Sequence, residues 1–385
     1  MLGKRKQHIL FIGHEGSLSG APVLLLNLLL LLKERQDIRF TIVLGRGGPL
    51  AEKYQEHFKV LILKPDGYAQ EGSLFGRGKG ILQNRLKLLR TVTLAFSADL
   101  IFSNTITNGA LLKMLSFLKK PVVTYVHELE KVLQKFVLSG IAGDTIKYST
   151  SFAYPSLRVK EVLQQEFNIP ETKLHRLSYY FPVNKSLIND VTARNSFVQH
   201  FKEKYALKGM IVGGMGLASD RKGTDIFIRV CEKVISKNDQ ITFCWIGGFE
   251  NDEVEQKLKA LNSAVIFTGP LPHHYYNPAV FDLLFLSSRE DPYPLVVLEA
   301  GFMEVPAICF KEAGGIPEFV GEDAGWTIPD FNEDKAAETI LSLYDQRQLI
   351  KEKGAHACNK SMNWHADGTA IMHQLSEIIR TISSS

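Results

Sequence analysis

Two carboxylates, Asp291 and Glu299, stand eight residues apart in the second half of this 385-residue chain. Pro294 lies between them and favours a helix that begins near it, because proline suits the first helical position. The amides of Leu295 and Val296 would then be orphan donors of the first turn, able to bind a diphosphate. Glu299 could accept two hydrogen bonds from a ribose diol, and Asp291 could bind sugar hydroxyls. A capped helix with solvent-facing carboxylates is the alternative interpretation.

Basic residues and glycines that could complete such a site occur on both sides of this segment. Gly216, which we place with the ligand-binding residues, follows the predicted strand Met210–Gly214, and Arg221 and Lys222 come directly before the next predicted helix. They could neutralise a diphosphate leaving group, a task that a metal ion otherwise performs. Gly314 and Gly315 follow another strand, where adjacent glycines let the backbone approach a ligand and form an anion-binding nest. Two solvated basic residues and a tight turn are the plainer interpretations.

Polar side chains also end three apolar runs of the first half. His14 follows the first run, Asn104 follows a later one, and His127 ends the next. The carboxyl ends of parallel strands meet at one edge, where open α/β sheets bind ligands. A histidine at this edge can bind a sugar or act as a general acid or base, although a lone histidine is more often structural. We place His127 with the catalytic residues, and His14 and Asn104 on the acceptor side.

Short apolar runs alternate with helical stretches along the whole chain, which is typical of parallel sheets buried on both faces. The pattern restarts after about residue 205 and predicts two doubly wound, Rossmann-like α/β domains. The predicted first domain comprises residues 1–190 together with an amphipathic C-terminal helix at 366–385. The second comprises residues 191–365. Two domains whose strand ends face each other would enclose a cleft for the ligand.

The acidic segment resembles the signature of glycosyltransferase family 4, whose members have the GT-B fold. The family carries an acidic residue and a glutamate with seven positions between them, as Asp291 and Glu299 are placed. It usually has Glu-Gly-Phe-Gly where this chain has Asp-Pro-Tyr-Pro. Gly314 and Gly315 are similar to the Gly-Gly-x-x-Glu stretch that lies against the donor in that family. The resemblance is dense over residues 210–330 and sparse over residues 1–200.

Further motifs are similar to those of the same family, with one departure. Lys222 matches the second half of its basic motif, but the arginine that usually follows the preceding strand is absent, so Arg221 would have to substitute for it. The turn from Gly269 to Leu271 resembles the base-binding turn. Gly20 fits the glycine-rich loop that lies near the donor phosphate.

The resemblance implies a retaining, metal-independent glycosyltransferase that moves a hexosyl group from a nucleoside-diphosphate sugar to a hydroxyl. His127 would lie near the reacting face of the sugar, and no cofactor would be needed. The C-terminal helix would cross back to the first domain. The acceptor would be a saccharide or a lipid-linked molecule, in polysaccharide or cell-envelope glycan synthesis. A GT-B sugar-nucleotide epimerase and a non-catalytic subunit of a glycan assembly complex are the alternatives.

Composition and cysteine usage indicate a cytoplasmic globular protein. Hydrophobic residues make up 45% of the chain and charged residues 22%, which is ordinary for this class. The four cysteines have no spacing typical of a zinc site or a disulfide framework. The apolar run Val23–Leu32 is about half the length of a membrane span, so we interpret it as a buried helix.

The charge is unevenly distributed along the chain. Residues 1–185 contain 26 Lys and Arg against 14 Asp and Glu, whereas the remainder contains 19 against 27. A basic half favours an anionic partner. We expect peripheral contact with the inner face of a membrane, and no binding of nucleic acid, through the first helix, Ala21 to Leu32, and nearby basic residues: Lys4, Arg5, Lys6, Arg85, Lys87 and Arg90. The alternative is that this helix belongs to the core and that the charge only keeps the protein soluble.

Replacing Glu299 with alanine is expected to abolish binding of the nucleotide sugar and to leave the fold intact, because its carboxylate would hold the ribose and not the core. Isothermal titration calorimetry measures the affinity, and circular dichroism checks the fold. An affinity equal to that of the wild type would remove Glu299 from the site.

Overall fold

The chain divides into two units in a computed structural model that describes residues 6–64, 74–261, 264–272 and 274–383. The first unit comprises Met1–Phe181 and Gly368–Ser385, and the second comprises Pro182–Asp367. For residues 74–82 and 383 only the backbone is described.

The first unit alternates strands and helices in chain order. They are β1 (Gln7–Gly13), α1 (Gly20–Leu32), β2 (Ile38–Arg46), α2 (Ala51–His57), β3 (Val60–Lys64), α3 (Leu74–Ser97), β4 (Leu100–Asn104), α4 (Gly109–Leu115), β5 (Val122–Tyr125), α5 (Glu130–Leu138), α6 (Ile141–Tyr148), β6 (Ser151–Tyr154), α7 (Leu157–Phe167) and β7 (Leu174–Arg176). The strands form a parallel sheet in the order β3-β2-β1-β4-β5-β6-β7.

The second unit repeats this plan around a parallel sheet of six strands. Its elements are α8 (Lys185–Asn189), α9 (Val191–Lys204), β8 (Met210–Met215), α10 (Thr224–Ile235), β9 (Ile241–Ile246), α11 (Asp252–Leu261), β10 (Ile266–Phe267), β11 (Leu283–Leu286), α12 (Leu295–Phe302), β12 (Ala307–Phe310), α13 (Ile316–Val320), β13 (Gly325–Ile328), α14 (Glu333–Leu343) and α15 (Arg347–Ser361). The strand order is β10-β9-β8-β11-β12-β13. A π-helical turn, Met362–Ala366, ends the unit, and α16 (Gly368–Ser383) belongs to the first unit, as the sequence predicted for the last helix.

In each sheet the strand order reverses at one point. The reversal lies between β1 and β4 in the first unit and between β8 and β11 in the second. Loops that leave the carboxyl ends of two such neighbouring strands diverge and open a crevice between them, where α/β proteins bind ligands. The two points are therefore the places where functional side chains are expected.

The boundary between the units differs from the predicted one at residue 190. Asp190 caps α9, a helix of the second unit, by accepting a hydrogen bond from the amide of Ala193 at 2.9 Å. The hydroxyl of Tyr276 donates to the carbonyl of Leu187 at 2.6 Å, which ties α8 to the second unit as well. The chain therefore passes to the second unit at Pro182, before these two helices.

Helix α1 belongs to the core of the first unit. Leu25, Leu29 and Leu32 are at most 1% exposed. The one polar residue in the run, Asn27, is also buried, and its Nδ2 donates to the carbonyl of Tyr180 at 3.3 Å. The interpretation of this run as a buried helix is therefore confirmed, and these leucines, already covered by protein, are not available to a membrane. Within the described residues, no helix is long and apolar enough to cross a membrane.

Two other expectations concern residues that lie partly outside the described part of the chain. The five glycines of residues 66–80 predict a loop. Residues 66–73 lie outside the described residues, and residues 74–80 form the beginning of α3. Lys4 and Arg5 also lie outside them.

Two helical glycines are expected to respond in opposite ways to replacement by alanine. A Cβ at Gly354, in α15, would lie 2.0 Å from the carbonyl oxygen of Glu304, whereas a Cβ at Gly143, in α6, would meet nothing within 4 Å. Gly354→Ala should lower the free energy of unfolding by roughly 1–3 kcal/mol through overpacking. Gly143→Ala should raise it by about 0.5–1 kcal/mol, the usual preference of a helix for alanine.

Urea denaturation of both variants beside the wild type measures these changes. Equal changes of the same sign would show that the close packing at Gly354 does not constrain the helix.

Candidate functional site

The loops that follow β8 and β11 are joined by an ion pair at the switch point of the second unit. The Nζ atom of Lys222 lies 2.5 Å from Oδ2 of Asp291, and the two side chains are only 13% and 6% exposed. Arg221 lies beside them: its Nη1 is 3.6 Å from the same carboxylate oxygen and donates to the carbonyl of Glu290 at 3.0 Å. The Arg221 side chain remains 44% exposed. Three residues predicted from the sequence are thus brought into one cluster.

Glycine allows the loop after β8 to approach β11 this closely. Gly223 has φ 62°, and a Cβ there would lie 2.0 Å from the carbonyl oxygen of Ser287. Ser287 Oγ in turn donates to the carbonyl of Lys222 at 3.1 Å. Gly216 has φ 123°, and a Cβ there would lie 3.7 Å from Cε of Lys222. The Lys222 stem therefore runs beside Gly216 to reach Asp291.

Arg289 holds the two loops together from the other side. Its amide donates to the carbonyl of Arg221 at 2.9 Å, and its Nη1 donates to the carbonyl of Asp220 at 2.7 Å. The guanidinium also forms a bidentate pair with Asp225 on α10, with both N–O distances at 2.7 Å. Bidentate arginine–carboxylate pairs fix orientation as well as distance. Arg289 therefore positions the backbone that carries Arg221 and Lys222.

The same network continues to α14. Arg229 donates to Asp225 at 2.9 Å and to Glu333 at 2.6 Å. Burial would raise the pKa of Asp225, but the hydrogen bonds from Arg289 and Arg229 outweigh it and hold that pKa well below the ordinary value of 3.8. Because the pKa of Asp225 is lowered, its ionised carboxylate stabilises the folded state at pH values above the ordinary pKa of 3.8. This stabilisation is lost as the pH falls from 3.8 towards the lowered pKa.

The backbone of Asp291 is paired with the glycine-rich segment after β12. The amide of Asp291 donates to the carbonyl of Ala313 at 2.7 Å, and the amide of Gly315 donates to the carbonyl of Asp291 at 3.0 Å. Gly314 therefore lies in a short bridge beside Asp291, with φ 115°. The predicted nest differs in one respect, because the Gly315 amide is engaged by protein.

Helix α12 begins at Leu295, with Pro294 as its cap in an extended conformation. The sequence predicted Pro294 at the first helical position, whereas it lies one residue before that position, at the N-cap. The amides of Leu295 and Val296 belong to the first turn, as expected, and first-turn amides have no intrahelical acceptor. Glu299 lies about one turn further along the helix and is half-buried.

The residue before the N-cap of α12 is also engaged. The hydroxyl of Tyr293 lies 3.0 Å from Nε2 of the buried His365.

The turn predicted to hold a base follows the short strand β10. The amide of Gly247 donates to the carbonyl of Gly269 at 3.2 Å, which places the turn beside the end of β9. Gly269 has φ 71°, and a Cβ there would meet nothing within 4 Å. This glycine thus leaves open space beside the backbone, and Leu271 follows it half-buried.

His127 lies at the carboxyl end of β5 in a closed hydrogen-bond network. Asn104 Nδ2 donates to the carbonyl of Ala21 at 3.0 Å, so its Oδ1 faces the imidazole, 2.8 Å from Nε2 of His127. Because Oδ1 can only accept, Nε2 carries the proton, and Nδ1 accepts from the hydroxyl of Tyr179 at 3.1 Å. Burial, assisted by the charge of His14, lowers the pKa of His127 to about 3. The imidazole is therefore neutral near pH 7, and its predicted catalytic role stays a prediction.

Glu128 is a group that the sequence interpretation gave no role. Burial raises the pKa of its carboxyl to about 7, although backbone amides that donate to it act in the opposite direction. One of these is the amide of His127, at 2.8 Å. A carboxyl that titrates near neutrality can take up or release a proton at this edge of the sheet. The only sequence signal was its place directly after the strand-end histidine.

Strained backbone supports the neighbouring strand end. Thr105 has φ 81°, which is rare for a β-branched residue, and its amide donates to the carbonyl of Tyr125 at 2.8 Å. Asn108, buried in the following turn, donates to the carbonyl of Asn104 at 2.9 Å. These bonds fix Asn104 where it can meet His127.

His14 and Gly20 lie at the loop after β1, as expected. Burial lowers the pKa of His14, while Glu15, whose Oε1 lies 3.6 Å from the His14 Nε2, acts to raise it. Among the described residues, its Nδ1 has no hydrogen-bond partner. Gly20 is the first residue of α1, and a Cβ there would meet nothing within 4 Å. Their acceptor and donor roles stay predictions.

Comparison with known proteins identifies the fold. Residues 208–346, which lie in the second unit, match the family model described as glycosyl transferases group 1. The chain is also similar to the crystal structure of HepE from Anabaena in complex with UDP and glucose. The two share 20% sequence identity with a TM-score of 0.77, over 97% of this chain and 99% of that chain. The expected two-domain GT-B fold is thereby confirmed, while the narrower assignment to family 4 stays a prediction.

Two curated relatives match parts of the chain. An alpha-galactosylglucosyldiacylglycerol synthase of Streptococcus pneumoniae is 34% identical over 105 residues, which cover 25% of this chain and 27% of that protein. A poly(ribitol-phosphate) alpha-N-acetylglucosaminyltransferase of Staphylococcus aureus is 24% identical over 180 residues, which cover 46% of this chain and 36% of that protein. The matched segments thus span about a quarter and a third of these relatives' own lengths.

Arg289→Lys is expected to loosen the loop that carries Arg221 and Lys222, because lysine cannot form the bidentate pair with Asp225. Amide hydrogen exchange at residues 219–224 should accelerate by roughly tenfold, the effect of losing one hydrogen bond to a charged group. Arg380→Lys, at an exposed pair on α16, is the matched control. Unchanged exchange in Arg289→Lys would show that the loop is held without this arginine.

Proposed function

We propose that this chain, which has the GT-B fold and matches the group 1 glycosyl transferases over residues 208–346, transfers a glycosyl residue from a nucleoside-diphosphate sugar to a hydroxyl acceptor. The observation that carries the proposal is the cluster of Lys222, Arg221 and Asp291 at the switch point of the second sheet. It combines a carboxylate for sugar hydroxyls with two cations for a diphosphate. The names of both curated relatives, a synthase of a glycosylated diacylglycerol and a glycosaminyltransferase, support it.

Lys222 can bind the diphosphate while it remains hydrogen-bonded to Asp291. Its ammonium has three donors, and the bond to Asp291 uses one of them. Arg221 is partly exposed and holds Glu290 through Nη1, so the rest of its guanidinium can face a ligand. As the bond between the sugar and the diphosphate breaks, negative charge grows on the leaving phosphate, and both cations stabilise it. This arrangement supports a reaction that needs no metal ion.

The acceptor hydroxyl would attack the anomeric carbon on the face from which the diphosphate departs, with retention of configuration. Its proton would pass to the departing phosphate oxygen, so that no protein nucleophile is required. Glu299 would hold the ribose, the amides of Leu295 and Val296 and the Gly314 segment would bind the diphosphate, and the turn at Gly269 would face the base. His127 would contact the sugar as a neutral group.

The acceptor is proposed to be a saccharide or a lipid-linked molecule in polysaccharide or cell-envelope glycan synthesis. The name of the Streptococcus pneumoniae relative contains a diacylglycerol, and that of the Staphylococcus aureus relative contains a polyol phosphate polymer. Both names support an acceptor at or near a cell envelope, and the basic charge of residues 1–185 suits an anionic environment.

Thermal-shift screening with UDP-glucose, UDP-galactose, UDP-N-acetylglucosamine and GDP-mannose tests the proposal, because a ligand that binds the native state raises the unfolding temperature. The stabilising donor is then incubated with and without saccharide acceptors. Turnover without an acceptor to a different sugar nucleotide would instead indicate an epimerase. No stabilisation by any nucleotide sugar would overturn the proposal.

Removing the charge of Arg221 or Lys222 should slow turnover by roughly two orders of magnitude, the scale for one electrostatic stabiliser of a transition state. Steady-state kinetics of Arg221→Ala and Lys222→Ala measure the change, and Lys259→Ala, at an exposed pair on α11, is the control. Activity of the wild type should persist in EDTA. A double variant with full kcat, or loss of wild-type activity in EDTA, would contradict the metal-free account.

A further inference from the structure

The outward face of α3 carries large apolar side chains, where a helix facing water usually carries polar ones. Leu86, Leu89 and Phe96 are three and seven residues apart, which places them on one side of the helix. They are 57%, 64% and 70% exposed, whereas Thr91 and Ala95 on the other side are fully buried. The helix therefore packs on its unit through small residues and turns its apolar stripe outward.

A short 3₁₀ turn extends this stripe. Phe117, in the turn Ser116–Leu118, is 65% exposed. With Phe96 and Val92 it lines a groove of about 580 Å³. Lys120 also lines this groove, and its Nζ lies 5.8 Å from the centre of the Phe96 ring, in range of a cation–π contact. We call Leu86, Leu89, Phe96, Phe117 and the basic residues around them the α3 surface.

The same stretch of chain is almost entirely free of negative charge. Residues 72–127 contain eight Lys and Arg and one acidic residue, Asp99. The Asp99 carboxylate accepts a hydrogen bond at 2.9 Å from a backbone amide of β1. The basic side chains Arg85, Arg90 and Lys119 are exposed near the apolar stripe. The α3 surface thus combines exposed aromatic and aliphatic side chains with an excess of positive charge.

We propose that the α3 surface docks onto an anionic lipid bilayer. Leucine and phenylalanine side chains enter the boundary between headgroups and acyl chains, while arginine and lysine bind lipid phosphates. A second copy of the chain fits poorly, because a two-fold contact would place the same cations against each other. A nucleic acid would pair with the cations but would not bury Leu86 and Leu89. An anionic bilayer matches both the apolar and the charged parts.

This proposal assigns membrane contact to the α3 surface, whereas the sequence assigned it to α1. The role of docking, to bring the chain to a lipid-linked acceptor, rests on the proposed function. The binding itself needs no sugar donor, so a failure to dock leaves glycosyl transfer untouched, and a failure of transfer leaves docking untouched.

Co-sedimentation of the full chain with vesicles tests the proposal. Vesicles of phosphatidylcholine and phosphatidylglycerol, two to one, should bind the wild type at low salt, and binding should weaken as salt screens the charges. Vesicles of phosphatidylcholine alone should bind at least about tenfold more weakly. Each basic residue near an anionic surface strengthens binding about fivefold, so Arg85→Glu with Arg90→Glu should weaken it by more than about tenfold.

Apolar insertion is tested separately with Phe96→Ser and Phe117→Ser, which remove exposed rings and are expected to leave the fold intact. Together they should weaken vesicle binding by about tenfold or more at unchanged charge. Leu157→Ser, an exposed leucine on α7 of the same unit, is the matched control and should bind as the wild type does. A tryptophan placed by Phe117→Trp should be quenched by brominated lipid, whereas one placed by Leu157→Trp should not.

Three results would overturn the proposal. One is a wild type that does not bind the anionic vesicles at low salt. Another is an unchanged affinity in both the charge and the ring variants. The third is a dimer, seen by analytical ultracentrifugation, that Phe96→Ser and Phe117→Ser dissociate, since the α3 surface would then be covered by a second copy.

Discussion

The ion pair between Lys222 and Asp291 constrains the whole candidate site of the second unit. Both side chains are largely removed from water, and removing one partner of such a pair commonly costs about 3–5 kcal/mol because the other charge is left uncompensated. The pair therefore requires the loops after β8 and β11 to stay together. Gly223 permits this approach, and Arg289 secures it by binding the backbone of one loop and the carboxylate of Asp225.

The site groups of the first unit are organised by a different kind of interaction. The imidazole of His127 is neutral, and its two nitrogens are hydrogen-bonded to Asn104 and Tyr179, so this residue presents a dipole and not a formal charge. Glu128 is the adjacent group whose pKa, at about 7, lies close to neutrality. In the second unit, Lys222 and Arg221 are the groups that would stabilise negative charge growing on a leaving diphosphate under the proposed function.

Charge also separates the faces of the first unit. Positive residues gather around α3, where exposed Leu89 and Phe96 accompany them, while α1 buries its leucines. An apolar run is therefore a poor guide to membrane contact by itself. Arg35, for example, follows α1 and donates to Ser376 on α16, so the end of the apolar run is engaged within its own unit. Exposure, together with charge, distinguishes α3 from α1.

The sequence by itself determined the two α/β units, most of their strands, and the loops that carry Asp291, Lys222 and His127, because these features depend on local periodicity and spacing. It missed the strands β6, β7 and β13, in which no more than three apolar residues follow one another, so that no extended apolar run distinguishes them from the loops around them. Only the tertiary structure decided which side chains meet. The bond of Arg289 to Asp225, the neutral state of His127 and the outward turn of Phe96 depend on residues distant in the chain, whose positions no local pattern records.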